Sequence, residues 1–140
     1  MSNYKLFDHT ADIGVEVYGP TRKELFVNAA GALFDVMIES KTGTESAHQQ
    51  RKIKVEGSDV ADLLINLLRE LLYLFNGEQF ITGSCEIMKL TNQELQARLT
   101  GELFNSNRHL IKTEIKAVTY SGSKVERLKD GWRAKVIFDV

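Results

Sequence analysis

The stretch Ile13-Gly14-Val15-Glu16-Val17-Tyr18-Gly19-Pro20-Thr21-Arg22-Lys23-Glu24-Leu25-Phe26 changes its hydrophobic period partway along. Up to Val17 the apolar residues Ile13, Val15 and Val17 alternate, the period of a strand with one buried face. Beyond Pro20-Thr21 they regroup: Leu25, Ala29, Leu33 and Met37 form one i+4 row, and Phe26, Ala30 and Phe34 a second beside it. Two adjacent rows of this kind are the buried face of a helix. Thr21 followed by Glu24 is a capping box, in which a hydroxyl and a carboxylate each satisfy an orphan amide at the helix start.

Outward from this stretch, Tyr4 to Phe7 reads as an earlier strand and Asp8 to Asp12 as a short polar turn. Ser40 to Gln50 is polar, glycine-containing and aperiodic, which predicts an exposed loop that includes His48. Arg51 to Val55 alternates as a strand, Ser58 is the expected cap of a second helix, and Asn76-Gly77 is its expected stop. The leucines of that helix (Leu64, Leu67, Leu68, Leu71 and Leu72) with Phe75 are read as core rather than as a partner seam. After Gly77 the helical period does not return. Strands are expected at Phe80 to Leu90, Glu94 to Leu103, Lys112 to Tyr120, Lys124 to Leu128 and Trp132 to Val140, and Asp130-Gly131 is the strongest hairpin signal. Two early helices and a late block of strands predict an α+β fold, with the helices packed on a largely antiparallel multi-stranded sheet. No repeat is evident in the residues.

Composition narrows the function. The 140 residues carry 18 Lys+Arg against 19 Asp+Glu, a formal charge of -1, which denies the chain the broad positive field of a non-specific nucleic-acid binder. With one proline and no linker-like tract, residues 1-140 read as a single domain. One cysteine, Cys85, excludes an intramolecular disulfide and multi-thiolate metal sites, which fits a reducing, cytoplasmic setting. No apolar run approaches the ~20 residues of a membrane span, and the first residues lack the order of a signal peptide. No membrane or DNA partner is expected.

Polar residues without a core role gather in three places: Asp8 to Asp12, Asn107 to Lys116, and the ending Phe138-Asp139-Val140. Asp8, His9 and Asp12 suit either local backbone capping or presentation of oxygen to a cation. Three histidines and one thiol are too few for an ordinary zinc site, so a metal here should be a hard, oxygen-seeking ion. The α-carboxylate of Val140 lies one residue from the Asp139 side chain. If the last strand pairs beside the first or second, Asp12 joins them in a three-carboxylate cluster whose repulsion a divalent cation relieves; the other reading is a frayed, solvated end. Lys112, Glu114 and Lys116 fall on one strand face with Arg108 and His109 nearby, either a solvated face or a basic surface for phosphate or an acidic partner. Arg133 and Lys135 share a face with Asp139 and either extend that patch or neutralise it. The common nucleophile-elbow, phosphate-loop, dinucleotide and zinc-protease signatures are missing.

The segments Asp8-His9-Thr10-Ala11-Asp12-Ile13-Gly14, Leu25-Phe26-Val27-Asn28-Ala29-Ala30, Glu70-Leu71-Leu72-Tyr73-Leu74, Ile115-Lys116-Ala117-Val118-Thr119-Tyr120 and Val136-Ile137-Phe138-Asp139-Val140 together resemble the archease family, in order and over essentially the whole chain. The resemblance implies a small, non-catalytic cytoplasmic protein that activates the RtcB-type RNA ligase, the GTP- and metal-dependent enzyme of tRNA splicing, by promoting its guanylylation and multiple turnover. It implies duplicated strand-helix-strand-strand modules. It also implies a metal site, usually calcium with magnesium or manganese as alternatives, at Asp12, Asp139 and Val140. Asp8, His9, Arg108, His109, Lys112 and Lys116 would then face the partner, or GTP or tRNA within the ligase complex. Many relatives carry His where this chain has Ser121, so no proton-transfer role is assigned there. The competing readings are a metal-dependent phosphoester hydrolase and a direct RNA-binding chaperone.

Overall fold

A computed structural model describes residues 3–9, 12–40 and 48–140, with the side chains of residues 7–9 and 121 outside that description. The first half contains β1 (Tyr4–His9), β2 (Asp12–Gly19), α1 (Arg22–Met37), β3 (Ile38–Ser40), β4 (Gln49–Glu56) and α2 (Val60–Glu78). The second half contains β5 (Phe80–Leu90), β6 (Glu94–Leu103), β7 (His109–Ile111), β8 (Ala117–Leu128) and β9 (Gly131–Asp139). The strands form a four-stranded sheet ordered β1-β2-β9-β8, a three-stranded sheet ordered β4-β6-β5 and a two-stranded ribbon β3-β7. Every pairing is antiparallel. The expected α+β class is what is observed.

The topology holds a duplication. β4, α2, β5 and β6 make a strand-helix-strand-strand unit whose last strand lies between the other two. β2, α1, β8 and β9 repeat that unit in the same order, β2-β9-β8. The first unit sits in the chain between α1 and β8 of the second, so one module is nested inside its twin.

The twins share residue-level devices. Gly19 and Gly57 each stand two residues before a helix N-cap, Thr21 and Asp59. A Cβ added at Gly19 would lie 2.4 Å from the Leu25 backbone nitrogen, and one at Gly57 would lie 2.6 Å from that of Leu63. Only glycine lets strand end and first helical turn meet at this spacing. Asn28 Nδ2 donates to the Tyr18 carbonyl at 2.8 Å, and Asn66 Nδ2 to the Glu56 carbonyl at 2.9 Å. A pattern Gly-x-(Thr/Asp)-x-x-(Glu/Asp)-Leu-x-x-Asn therefore recurs at 19–28 and 57–66. It escapes a reading of hydrophobic period because its identities are polar or glycine and the apolar residues around them differ.

Several boundaries move for physical reasons. Thr21 caps α1 as expected, accepting the Glu24 N–H at 3.1 Å. α2 is capped by Asp59 rather than Ser58: Asp59 accepts the Asp62 N–H at 2.8 Å, and the Asp62 carboxylate reaches back to the Ser58 N–H at 2.8 Å. The helix runs through Asn76-Gly77 and stops at Gln79, a left-handed residue (φ 59°) whose N–H donates to the Phe75 carbonyl at 2.8 Å. The expected strand beginning at Lys112 begins at Ala117. Residues Lys112 to Lys116 make no strand ladder, since the Lys112 and Thr113 amides go to the Met37 carbonyl at the end of α1. The alternation that suggested a strand survives in their burial, with Ile115 buried between exposed Glu114 and Lys116, whereas Ile111 is exposed. Positions 120–123 belong to one bulged strand, β8, rather than to a break between two. Of the loop expected over Ser40 to Gln50, residues 41–47 lie outside the described residues; His48 is exposed, and Gln49 and Gln50 already belong to β4.

The leucines of α2 are core as expected: Leu63, Leu64, Leu67, Leu68 and Leu71 are essentially without solvent contact. Each contributes about 1.5–3 kcal/mol by burial. α1 packs on β2 and β5, and α2 on β8, β5 and β4, so each helix covers its own sheet and touches a strand of the other module. The inward residues Val15, Val17, Val136 and Phe138 close the core beneath the polar outer face of β2 and β9. Among the described residues no helix is long and apolar enough to cross a membrane.

Candidate functional site

The antiparallel register of β2 and β9 sets Asp12 directly opposite Asp139. Opposed residues of neighbouring strands project from the same sheet face, with Cβ atoms about 4.5–5.5 Å apart. That face is the outer one, because the intervening residues Ile13, Val15, Phe138 and Val136 point into the core. Both aspartates are half-buried, and Val140 follows Asp139 immediately. The conditional strand pairing foreseen from the sequence is therefore realised, and the two aspartates oppose each other at one sheet tip.

Neighbouring strands complete the tip. The main chain of His9 is the register partner of Asp12, and Ala117 that of Asp139. The Lys116 N–H donates to the Asp139 carbonyl at 2.7 Å, which places exposed Lys116 beside the acidic pair. The backbone of Asp8 and His9 lies in β1 rather than in a turn, while their side chains, with Thr10 and Ala11, lie outside the described residues. Lys112 is exposed at the end of α1, a strap's length from Lys116.

The cations further along the same face pair with the glutamates there. Glu16 takes the Tyr18 hydroxyl at 2.8 Å and ion pairs with Lys5 at 3.3 Å and Lys135 at 3.8 Å. The Tyr18 hydrogen bond, with help from Lys5 and Lys135, holds the Glu16 carboxyl below its ordinary range. Arg133 pairs with Glu126 at 2.7 Å, and Lys124 joins them. Those two partners, Lys124 first, bring the Glu126 carboxyl down to about 2.

Arg108 and His109 turn to Glu102, a residue that sequence reasoning did not single out. Arg108 Nη2 lies 3.2 and 3.3 Å from the two Glu102 oxygens, and His109 Nε2 bonds the same carboxylate. His109 Nδ1 accepts the Asn105 N–H at 3.0 Å, so the proton of a neutral ring sits on Nε2. His109 is 3% exposed and stacks near Phe104, with 5.7 Å between centroids. This cluster fastens the turn between β6 and β7 beside a cavity of about 410 Å³ that His48 also lines. Its signal in the sequence is Glu102 itself, the outward charge at the end of an otherwise regular alternation in β6.

The described carboxylates at the tip, Asp12 and Asp139, are oxygen donors, which fits a hard cation. Among the described residues no three His, Cys, Asp or Glu side chains converge. Asp12 and Asp139 would hold such an ion from facing strands, with Val140 closing the set.

Fold and tip together define a class: a small α+β protein made of two nested strand-helix-strand-strand modules, with an acidic, oxygen-rich end. The model of the Archease protein family (MTH1598/TM1083) matches residues 4–140, and the chain belongs to that family. It is 38% identical to protein archease of Methanosarcina acetivorans, over 98% of this chain and 95% of that one. It is 37% identical to protein archease of Pyrococcus furiosus over the whole of both chains. Among solved structures it is similar to protein 1598 of Methanobacterium thermoautotrophicum, with a TM-score of 0.80, 29% identity and full coverage of both chains. It is also similar to an archease of Thermotoga maritima described as a possible chaperone, with a TM-score of 0.64, 26% identity and coverage of 97% and 96%.

Proposed function

We propose that this protein is a non-catalytic cytoplasmic accessory factor that activates the GTP-dependent RtcB-type RNA ligase of tRNA splicing, promoting guanylylation of the ligase and its multiple turnover. The observation that carries this reading is the register of Asp12 against Asp139. Such a tip costs repulsion in isolation and gains its purpose by binding a cation, Ca²⁺ with Mg²⁺ or Mn²⁺ as alternatives, and by meeting another molecule. A bound ion would supply fixed positive charge on an otherwise anionic tip.

Asp12 and Asp139 orient the tip, the Lys116 amide anchors the Asp139 main chain, and the exposed Lys116 ammonium is placed to meet phosphate or carboxylate of the complex. Activation then follows from contacts made only with the competent arrangement of the ligase, whose population rises in proportion to that differential binding. A coupling of this kind is worth about 1–3 kcal/mol, or roughly 5- to 150-fold.

The test is transfer of GMP from labelled GTP to a purified RtcB-type ligase, with and without substoichiometric amounts of this protein. Stimulation over several turnovers per added molecule is the expected result. Phosphoester hydrolysis by the protein alone would replace this reading with a hydrolase, and salt-sensitive RNA binding without ligase stimulation would replace it with an RNA-binding chaperone.

A further inference from the structure

A groove of about 580 Å³ runs along the exposed side of α1, between the β1 end of the four-stranded sheet and the β5 end of the three-stranded sheet. Its floor is small, Ala30 and Gly31, and a Cβ at Gly31 would meet nothing within 4 Å. Both walls are edge strands, Tyr4 on one side and Thr82 on the other. β5 protects its edge with bulges at Thr82/Ser84 and Ile87/Lys89, whereas β1 pairs with β2 without a break.

Three further observations point to an occupant. The Tyr18 N–H donates to the Asn3 carbonyl at 3.0 Å, and the antiparallel register repeats by twos, so the main-chain groups of Tyr4 and Leu6 point away from β2. Thr82, in the groove lining, is 7% exposed, and its buried Oγ1 has no hydrogen-bond partner among the described residues. Among the described lining residues Asp35 alone is charged, and Leu6 further along β1 is 59% exposed.

We propose that this groove receives an extended segment of the partner enzyme, added as a further strand on the open edge of β1 with a cationic side chain at Asp35. Strand addition satisfies the outward amides of Tyr4 and Leu6. The six residues of β1 span about 20 Å and end at His9, the register partner of Asp12, so a segment laid along this edge leads to the acidic tip. This inference rests on the accessory role proposed above: the groove holds the partner and the tip acts on it.

The test measures binding and stimulation of the RtcB-type ligase separately. Gly31→Arg fills the groove, meets Asp35 one turn on, and raises helix propensity at an open position, so the fold is retained. Leu6→Pro removes an outward N–H that the β1–β2 ladder does not use. Both are expected to weaken ligase binding at least about tenfold, while Asp12→Ala loses stimulation by more than any loss of its binding accounts for. Amide exchange of Tyr4 and Leu6 should slow on adding ligase. Wild-type affinity in folded Gly31→Arg, unprotected Tyr4 and Leu6 amides, or a homodimer seated on this edge would each overturn the groove assignment alone. Absence of both binding and stimulation by wild type would overturn the accessory role and the groove with it.

Discussion

Gly19 and Gly57 carry more of the fold than their size suggests, because each lets a strand end touch the backbone of the next helix. Replacing either by alanine forces a Cβ to within 2.4–2.6 Å of main-chain nitrogen, a contact that must move backbone rather than a side chain. Gly19→Ala and Gly57→Ala are expected to cost about 2–3 kcal/mol each in urea denaturation, whereas Gly31→Ala, in open space on α1, should gain about 0.5–1 kcal/mol. Equal, small effects at all three would remove the close-approach explanation. Cys85 offers a second check. Burial pushes its thiol up to about 11, so alkylation near neutral pH should be slow in the folded protein and fast after unfolding. At this scale the sequence displayed the acidic residues but not their meeting, since Asp12 and Asp139 are more than a hundred positions apart and only strand pairing joins them. Glu102 was harder to read, because an outward carboxylate on a strand is ordinary until its partners Arg108 and His109 fold back onto it.

Elements were legible where hydrophobic period and local chemistry agree. β5 and β6 fall where their alternation places them, and α1 begins at the expected Thr21 cap. The end of α2 was misread because Gly77 is an ordinary helical residue there, while Gln79 adopts the positive φ usually left to glycine. Gln79→Gly should accordingly stabilise the protein by about 0.5–1 kcal/mol, read as a shift of the denaturation midpoint. The outer face of β2, β8 and β9 makes a pH prediction. Glu126 titrates at about 2 in the folded protein against 4.5 ordinarily, held down by Lys124 and Arg133, and Glu16 is also lowered. A carboxyl depressed on folding adds stability above its unfolded pKa and loses it as pH falls through the folded one. Melting temperature should therefore decline as pH drops from about 4.5 toward about 2, and Glu126→Gln should shallow that decline. An identical pH profile for the variant would show that this ladder contributes nothing measurable.

The whole molecule is one module folded inside another, an arrangement visible in strand order and almost hidden in the residues. β2 reaches its partners β9 and β8 only after the entire β4-α2-β5-β6 unit has been traversed, so no local pattern announces the pairing. What the nesting produces is a polarity between equivalent ends. The register position of Asp12 and Asp139 in one module corresponds to Gln50 and Thr100 in the other, counted from Gly19 and Gly57. Carboxylates oppose each other at one end, and an amide and a hydroxyl at the other. If the acidic end holds a divalent cation, as proposed, that cation should raise the melting temperature of wild type and do so less for Asp139→Asn.

The most direct measurement is GMP transfer from labelled GTP to the RtcB-type ligase, followed with substoichiometric wild type, Asp12→Asn or Asp139→Asn, each variant first shown to be folded and to bind the ligase. If the opposed aspartates are the working end, wild type stimulates over many turnovers and both variants lose at least about tenfold of that stimulation while binding persists. Full stimulation by either bound variant would contradict the assignment and move the activity away from the tip.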